Sequence, residues 1–381
     1  MKNFEVRTKI CFGEHALDRL IGLPYRTVTV IADPFVESSD MIRLITGRLA
    51  QARIDYAVYT DVVPDPPIER VTQGVRTILS RRPECLIAVG GGSAIDLAKS
   101  IRRFATEMDP SYTPCLIAIP TTSGTGSEVT SFAVITDPKA EVKYPLSDDS
   151  MIPDEAILDE ELVRSVPPSI TADTGMDVMT HAIEAYVSVN NNEFSAALAE
   201  KSVEICGQFL LRSYNDNNDT HARRKMHIAS CLAGLAFNSA SLGLNHGMAH
   251  ALGAAFHIPH GRANAILLPY IIEYNAEIDM HSKSRPVYAP CVRKYCNMAR
   301  ILGLSNFNEI TTIRALVSYI QFMNKEMNIP LSVSALGGIS EGEYMAHIEG
   351  MAEAALADAC TKTNPRTPKK SEVMDIYRRI W

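Results

Sequence analysis

The 381-residue sequence has no Cys-x-x-Cys pair, no Gly-x-Gly-x-x-Gly fingerprint and no glycine loop ending in Lys-Ser/Thr. A thiol-clustered zinc module, the common dinucleotide fingerprint and a P-loop are therefore not expected. It also lacks a basic surplus, since the formal net charge is -7, which argues against nucleic acid as a partner. No run of about 18 uncharged apolar residues occurs, so no membrane span is expected. The opening MKNFEVRTKICFG alternates charged and apolar residues and lacks the apolar core of a secretion signal. The eight cysteines are scattered, several of them in apolar runs such as ECLIAVG and PCLIAIP. They read as buried inert thiols in a reducing cytoplasm.

What is present is the composition of a folded protein, 46% hydrophobic and 21% charged. The length exceeds one ordinary hydrophobic core and implies two domains. Up to about residue 120, short apolar runs (TVTVIAD, DYAVYTD, CLIAVGGGS, CLIAIPTT) alternate with helical patterns at 38–54, 68–80 and 94–105. That alternation implies an α/β dinucleotide-binding domain over 1–168, with a parallel sheet covered on both faces. Proline and acidic residues crowd 153–170. Beyond them, helical periodicity dominates in MTHAIEAYVSV, FSAALAEKSVEICGQFLLRSY, RRKMHIASCLAGLAFNSAS and NEITTIRALVSYIQFMNKEM. An all-α domain over 169–381 is expected, with surface loops at 215–222 and 363–370.

Three places in the first half point to a nucleotide. Gly90-Gly91-Gly92-Ser93 follows a strand and opens a helix, where N–H groups and the helix dipole suit a phosphate. A tight turn with no ligand would look the same. Asp33 ends the run TVTVIAD, where a carboxylate can accept from a ribose and repel an extra phosphate; it could equally cap the turn before Pro34. The run Pro120–Glu128, PTTSGTGSE, is small and hydroxyl-rich and can wrap a pyrophosphate. Asp96 lies in the first turn of the glycine-loop helix, a position that also simply favours its dipole.

The second half carries a metal pattern. His246, His250, His257 and His260 fall within NHGMAHALGAAFHIPHGRAN, and Asp177 and His181 stand four apart in TGMDVMTHAIEAY. Helical i, i+4 spacing puts each pair on one face. One carboxylate with two or three imidazoles suits Fe²⁺, Zn²⁺ or a similar ion. Spacing alone leaves open which of the four histidines bind.

Together, GGGSAIDLAK (90–99), PTTSGTGSEVT (120–130), GMDVMTHAIEAY (175–186) and GLNHGMAHALGAAFHIPHGRANAILLPY (243–270) resemble the iron-containing (group III) alcohol dehydrogenases over the whole length. ITDPKAEVKYPL and ALADACTKTNPR are most similar to the propanol dehydrogenases of bacterial propanediol degradation. The resemblance implies an NAD-binding α/β domain and a helical domain, with the metal and active site in the cleft between them. It implies metal ligands Asp177, His181, His246 and His260, and places His250 near the nicotinamide as a proton relay. It implies NAD contacts at Asp33, the glycine loop with Gly91, Gly92 and Ser93, then Asp96, Thr121, Thr122, Thr125 and Lys143. Asp65 and Phe132 stand where relatives carry other residue types near the cofactor. The implied reaction is hydride transfer between NAD(H) and a short primary alcohol or aldehyde such as 1-propanol or propanal, with Fe²⁺, or Zn²⁺ on the same ligands. A homo-oligomer in the cytoplasm, inside a bacterial microcompartment, follows from the same resemblance. The rivals are a zinc polyol (glycerol-type) dehydrogenase, a dehydroquinate-synthase-like lyase, and a non-catalytic metal-binding microcompartment protein. The lyase needs a cluster of lysines and arginines for its acidic substrate, and only Arg262 lies near the histidines in sequence.

Overall fold

The structure is a computed structural model and describes residues 3–63, 66–137, 142–278, 291–304 and 307–381. Asp65, His281 and the side chain of Lys143 lie outside the described residues. The chain divides into two compact units, Met1–Val166 and Pro167–Trp381. The division falls just before the helix that opens the second unit, whereas the boundary expected after residue 168 lies inside that helix's first turn.

The first unit contains β1 (Lys9–Phe12), β2 (Thr27–Ala32), α1 (Pro34–Ser38), α2 (Asp40–Gln51), β3 (Asp55–Tyr59), α3 (Ile68–Arg81), β4 (Cys85–Gly90), α4 (Gly92–Met108), β5 (Cys115–Pro120), β6 (Phe132–Asp137), β7 (Val142–Ser147) and β8 (Glu155–Leu158). Six strands form a parallel sheet in the order β1-β8-β5-β4-β2-β3. β4 and β5 run in register from Cys85↔Cys115 to Gly90↔Pro120, so both end at one level. Side chains alternate between two cores: Ile87 and Val89 join Val30, Ile45 and Leu49 in one, while Leu86 and Ala88 join Val71, Val75 and Ile101 in the other. Burial on both faces is why these strands read as unbroken apolar runs. From β2 the chain steps to β3 on one side and then to β4 on the other. That reversal is where ligands bind in open α/β sheets.

The helix expected over 38–54 is shorter, because Ser39 accepts from the Met41 amide and starts α2 at Asp40, after the short α1. Four strands had no sequence signal strong enough to predict. β1 and β8 are four residues each and pair with one another across the whole unit. β6 and β7 form a separate antiparallel pair.

The second unit is helical throughout the described residues: α5 (Pro168–Val187), α6 (Glu193–Asn215), α7 (Thr220–Ala240), α8 (Leu244–Phe256), α9 (His260–Asn275), α10 (Val292–Ile301), α11 (Glu309–Glu326), α12 (Glu341–Ala357) and α13 (Lys370–Arg379). The loop expected over 215–222 is cut short: the Asp219 carboxylate accepts from the Ala222 amide and starts α7 at Thr220. Nearly every residue of α5 from Gly175 onward is buried, so α5 is a central helix and not a surface one. Among the described residues, no single helix is long and apolar enough to cross a membrane.

One buried cation braces the first unit. Lys99 on α4 is fully buried and donates to the Thr130 hydroxyl (3.1 Å) and the Phe132 carbonyl (2.8 Å). Burial lowers its pKa to about 8, and burial raises that of Glu128 to about 7. Removing the ammonium takes a donor from the Thr130 hydroxyl and the Phe132 carbonyl and a positive charge from near buried Glu128, so Lys99→Met should lose about 3 kcal/mol of stability near pH 7. Between about 8 and 10.5 the unfolded chain holds the Lys99 proton while the folded chain does not. Wild-type stability relative to the variant should therefore rise with pH across that window. Urea unfolding at pH 8 and pH 10 reads the gap; a gap that shrinks with pH would contradict this account.

Candidate functional site

The three nucleotide-type segments meet at the carboxyl ends of β2, β4 and β5. Asp33 follows β2 and its Oδ1 accepts from the Val36 amide at 2.8 Å, so it does cap α1. Its other oxygen lies against Gly90: a Cβ there would stand 2.6 Å from Asp33 Oδ2. Gly90 also has φ +152°, and both facts require glycine. Gly91 caps α4 without any side-chain cap, which leaves that helix end suited to an anion. Gly92 and Ser93 form its first turn. The Thr121 amide donates to the Gly90 carbonyl at 3.0 Å. Thr122 stands against Gly91, and Thr125 against Gly92. Asp33, the glycine loop and Thr121–Thr125 thus form one cradle. Asp96 has its carboxylate turned to the protein: Oδ1 accepts from the Ser127 hydroxyl at 2.6 Å and Oδ2 from the Val134 amide at 3.0 Å. In this structure Asp96 pins the Thr125–Ser127 loop.

The second unit gathers a different chemistry. Asp177 and His181 on α5, His246 on α8 and His260 at the start of α9 each offer a ligand atom, and the four atoms lie within 4.8 Å of one another. Asp177 Oδ1 is 3.6 Å from His246 Nε2 and 3.5 Å from His260 Nε2. Donors of a four-coordinate ion bound at about 2.1 Å sit roughly 3.4 Å apart, so the spacing fits one cation. His181 stacks on His246 (4.6 Å between ring centres) and on Phe237 (4.7 Å). His257 ends α8 in the left-handed region at φ 54° and is exposed. It is not part of the cluster.

Close helix approach makes this possible. A Cβ on Gly261 would stand 2.1 Å from the Asp173 carbonyl oxygen, so only glycine lets the start of α9 rest on α5. Arg262 then clamps Asp173 through Nε (3.0 Å) and Nη2 (3.1 Å), a bidentate pair that fixes orientation.

Several residues that the sequence did not single out complete the site. Glu184, seven residues after Asp177 on α5, accepts from the Asn245 amide (2.7 Å), the His246 amide (3.3 Å) and His246 Nδ1. With Nδ1–H committed to Glu184, Nε2 is the atom left for a cation. Burial would lower the His246 pKa, but Glu184 and Asp177 outweigh it and raise it to about 9. Burial likewise pushes Asp177 up, and the surrounding imidazoles hold it well below the usual carboxylate range. Asn264, four residues after His260, places Nδ2 at 2.7 Å from Asp177 Oδ1, 3.2 Å from His246 Nε2 and 3.1 Å from His260 Nε2. An amide carries two hydrogens and cannot serve three acceptors. The surplus lone-pair capacity is what a dication would take up, so the residues fit a metal ion.

His250 stacks on His260 at 5.2 Å without joining the four. Its Nδ1 is 2.8 Å from Asp358 Oδ2, a partner that sequence reading missed. Burial favours protonating Asp358, yet the His250 contact and the Cys360 amide hold it at about 2. Helical spacing could have flagged Glu184 and Asn264. Nothing local could have flagged Asp358, which comes from the turn after α12.

Residues 7–160 match the family model for iron-containing alcohol dehydrogenase, and residues 171–381 match that for the C-terminal part of the Fe-containing alcohol dehydrogenase family. The 1-propanol dehydrogenase PduQ of Citrobacter freundii is 41% identical over 380 residues, covering 100% of both chains. The NADPH-dependent butanol dehydrogenase of Clostridium saccharobutylicum is 37% identical over 396 residues, covering 100% of this chain and 98% of that one. The sulfoacetaldehyde reductase of Bifidobacterium kashiwanohense, solved with NAD+, superposes with a TM-score of 0.86 at 26% identity, covering 100% of this chain and 98% of that one.

The Glu184–His246 contact yields a prediction. Glu184→Gln puts an amide donor against an N–H of either His246 or Asn245, removes the charge behind His246, and should weaken metal affinity by roughly 10–100-fold with the fold intact. Chelator competition reads the affinity and circular dichroism the fold; an unchanged affinity removes Glu184 from the site.

Proposed function

The chain belongs to the iron-containing alcohol dehydrogenase family, and on that premise we propose that it interconverts a short primary alcohol, such as 1-propanol, and its aldehyde with NAD(H). The convergence of Asp177, His181, His246 and His260 within 4.8 Å carries this reading. Bound there, Fe²⁺ supplies Lewis-acid polarisation of the substrate oxygen, useful in both directions. Zn²⁺ fits the same donors.

The protein's own groups do the rest. One carboxylate among three imidazoles binds a dication without cancelling its charge. Glu184 orients His246. Asp358 holds His250 through Nδ1, which leaves Nε2 to accept the hydroxyl proton in oxidation and return it in reduction. Gly91, Gly92, Ser93, Thr121, Thr122 and Thr125 would cradle the pyrophosphate and the nicotinamide side of NAD, with Lys143 as a further contact. Asp33 would accept from the adenosine ribose and repel a 2′-phosphate. The name of the clostridial relative specifies NADPH, so cofactor choice varies among proteins similar to this chain.

Arg262 is already paired with Asp173. It does not serve an acidic substrate, which weighs against a dehydroquinate-synthase-like reaction. Family membership weighs against a purely structural metal protein. By resemblance to enzymes of propanediol degradation, we extend the proposal to a homo-oligomer working inside a bacterial microcompartment.

Two outcomes are expected. His246→Ala should lose bound iron and, with it, the NADH absorbance produced on mixing with 1-propanol. Full turnover in a metal-free variant would end the proposal, and preference for glycerol would shift it to the polyol reading. Asp33→Gly should lower the NAD:NADP ratio of kcat/KM by at least about tenfold, ~1.4 kcal/mol. An unchanged ratio would reduce Asp33 to a helix cap.

A further inference from the structure

Next to the four-ligand cluster lies a second group. His250, Asp358 and Cys360 each present a ligand atom, one nitrogen, one oxygen and one sulfur, within 4.8 Å of one another. His250 is on α8; the other two are in the turn after α12. Gly247 brings them together: a Cβ there would stand 2.1 Å from Thr361 Oγ1 and 3.4 Å from Asp358 Cβ, so the turn can lie against α8 only at glycine. The turn is itself tied down. Asp358 Oδ1 accepts from the Cys360 amide at 2.8 Å, and the Thr361 hydroxyl donates to the Ala355 carbonyl at 2.6 Å.

We propose that His250, Asp358 and Cys360 form a second cation site, selective for thiophilic dications such as Zn²⁺, whose occupation inhibits the enzyme. A nitrogen, an oxygen and a sulfur donor make a zinc-type set with a fourth position open to water. The sulfur favours Zn²⁺ over Fe²⁺ or Mg²⁺, whereas the neighbouring set contains no sulfur. A carboxylate and a thiolate neutralise a dication, which limits repulsion from a metal on the adjacent four ligands. Binding breaks the Cys360 S–H bond, forms a sulfur–metal bond and releases the proton to solvent; no electron moves.

Inhibition follows from the tautomer. Asp358 Oδ2 and His250 Nδ1 are hydrogen-bonded at 2.8 Å, and an ion bound by both would replace the Nδ1 proton and widen that spacing to roughly 3.4 Å. Coordination through Nδ1 puts the ring proton on Nε2. Nε2 then cannot accept a proton from the alcohol. This consequence rests on the role proposed for His250; binding does not.

The test uses iron-loaded protein kept anaerobic and titrated with Co²⁺ as a spectroscopic probe, then with Zn²⁺. A thiolate-to-cobalt charge-transfer band should saturate at one Co²⁺ per chain with iron retained, and Zn²⁺ should bleach it. Cys360→Ser should abolish the band, and it and Asp358→Asn should each raise the zinc concentration for half-inhibition by roughly 10–100-fold. No band, or inhibition that tracks iron release, overturns the site. A band with turnover unchanged keeps the site and overturns the proton role of His250.

Discussion

Three imidazoles and a carboxylate aimed at one point, with Asp177, His181 and His246 buried and His260 41% exposed, are unfavourable unless a positive charge occupies that point. Lone pairs and negative charge removed from water need a compensating partner, and the Asn264 side-chain amide cannot serve all three acceptors it touches. The rest of the second unit is arranged around that demand. α5 is buried so that Asp177 and His181 lie in the interior. Gly261 and the Arg262–Asp173 pair hold α9 against α5. Glu184 places a second negative charge behind His246 and decides which ring nitrogen faces the point.

The first unit meets its ligand differently. A phosphate is a diffuse anion, and backbone amides at a helix start can bind it without any charged side chain. There the sequence invests in glycine and threonine, and Asp33, the carboxylate beside Gly90, is proposed to act by exclusion. A transition metal ion, by contrast, needs a few directional donors, so the second unit invests in histidine and aspartate on rigid helices. Such a division suits a reaction in which a carrier supplies hydride and a cation polarises oxygen.

Two residues in this site have double duties. Asp33 caps α1 with one oxygen and leaves the other against Gly90. His250 stacks on His260 on one side and meets Asp358, with Cys360 beyond it, on the other. A residue placed between two sets of partners is where a second ligand can change the first one's chemistry.

Elements whose signal is local were legible from the amino-acid order alone. Strands buried on both faces appear as apolar runs, and Asp177/His181 and His246/His250 appear as i, i+4 pairs, because neither pattern depends on distant partners. Long-range packing selected His260 for the cluster and left out His257, since one opens α9 against α5 and the other ends α8 facing outward. It likewise decided β1 and β8, four-residue strands in which β8 pairs with both β5 and β1, and the meeting of Asp358 and Cys360 with His250, the first across 108 residues. Periodicity is carried by neighbours in the chain, whereas ligand convergence and edge-strand pairing depend on which backbones can approach closely, and that is set by the packing of whole helices at positions such as Gly247 and Gly261.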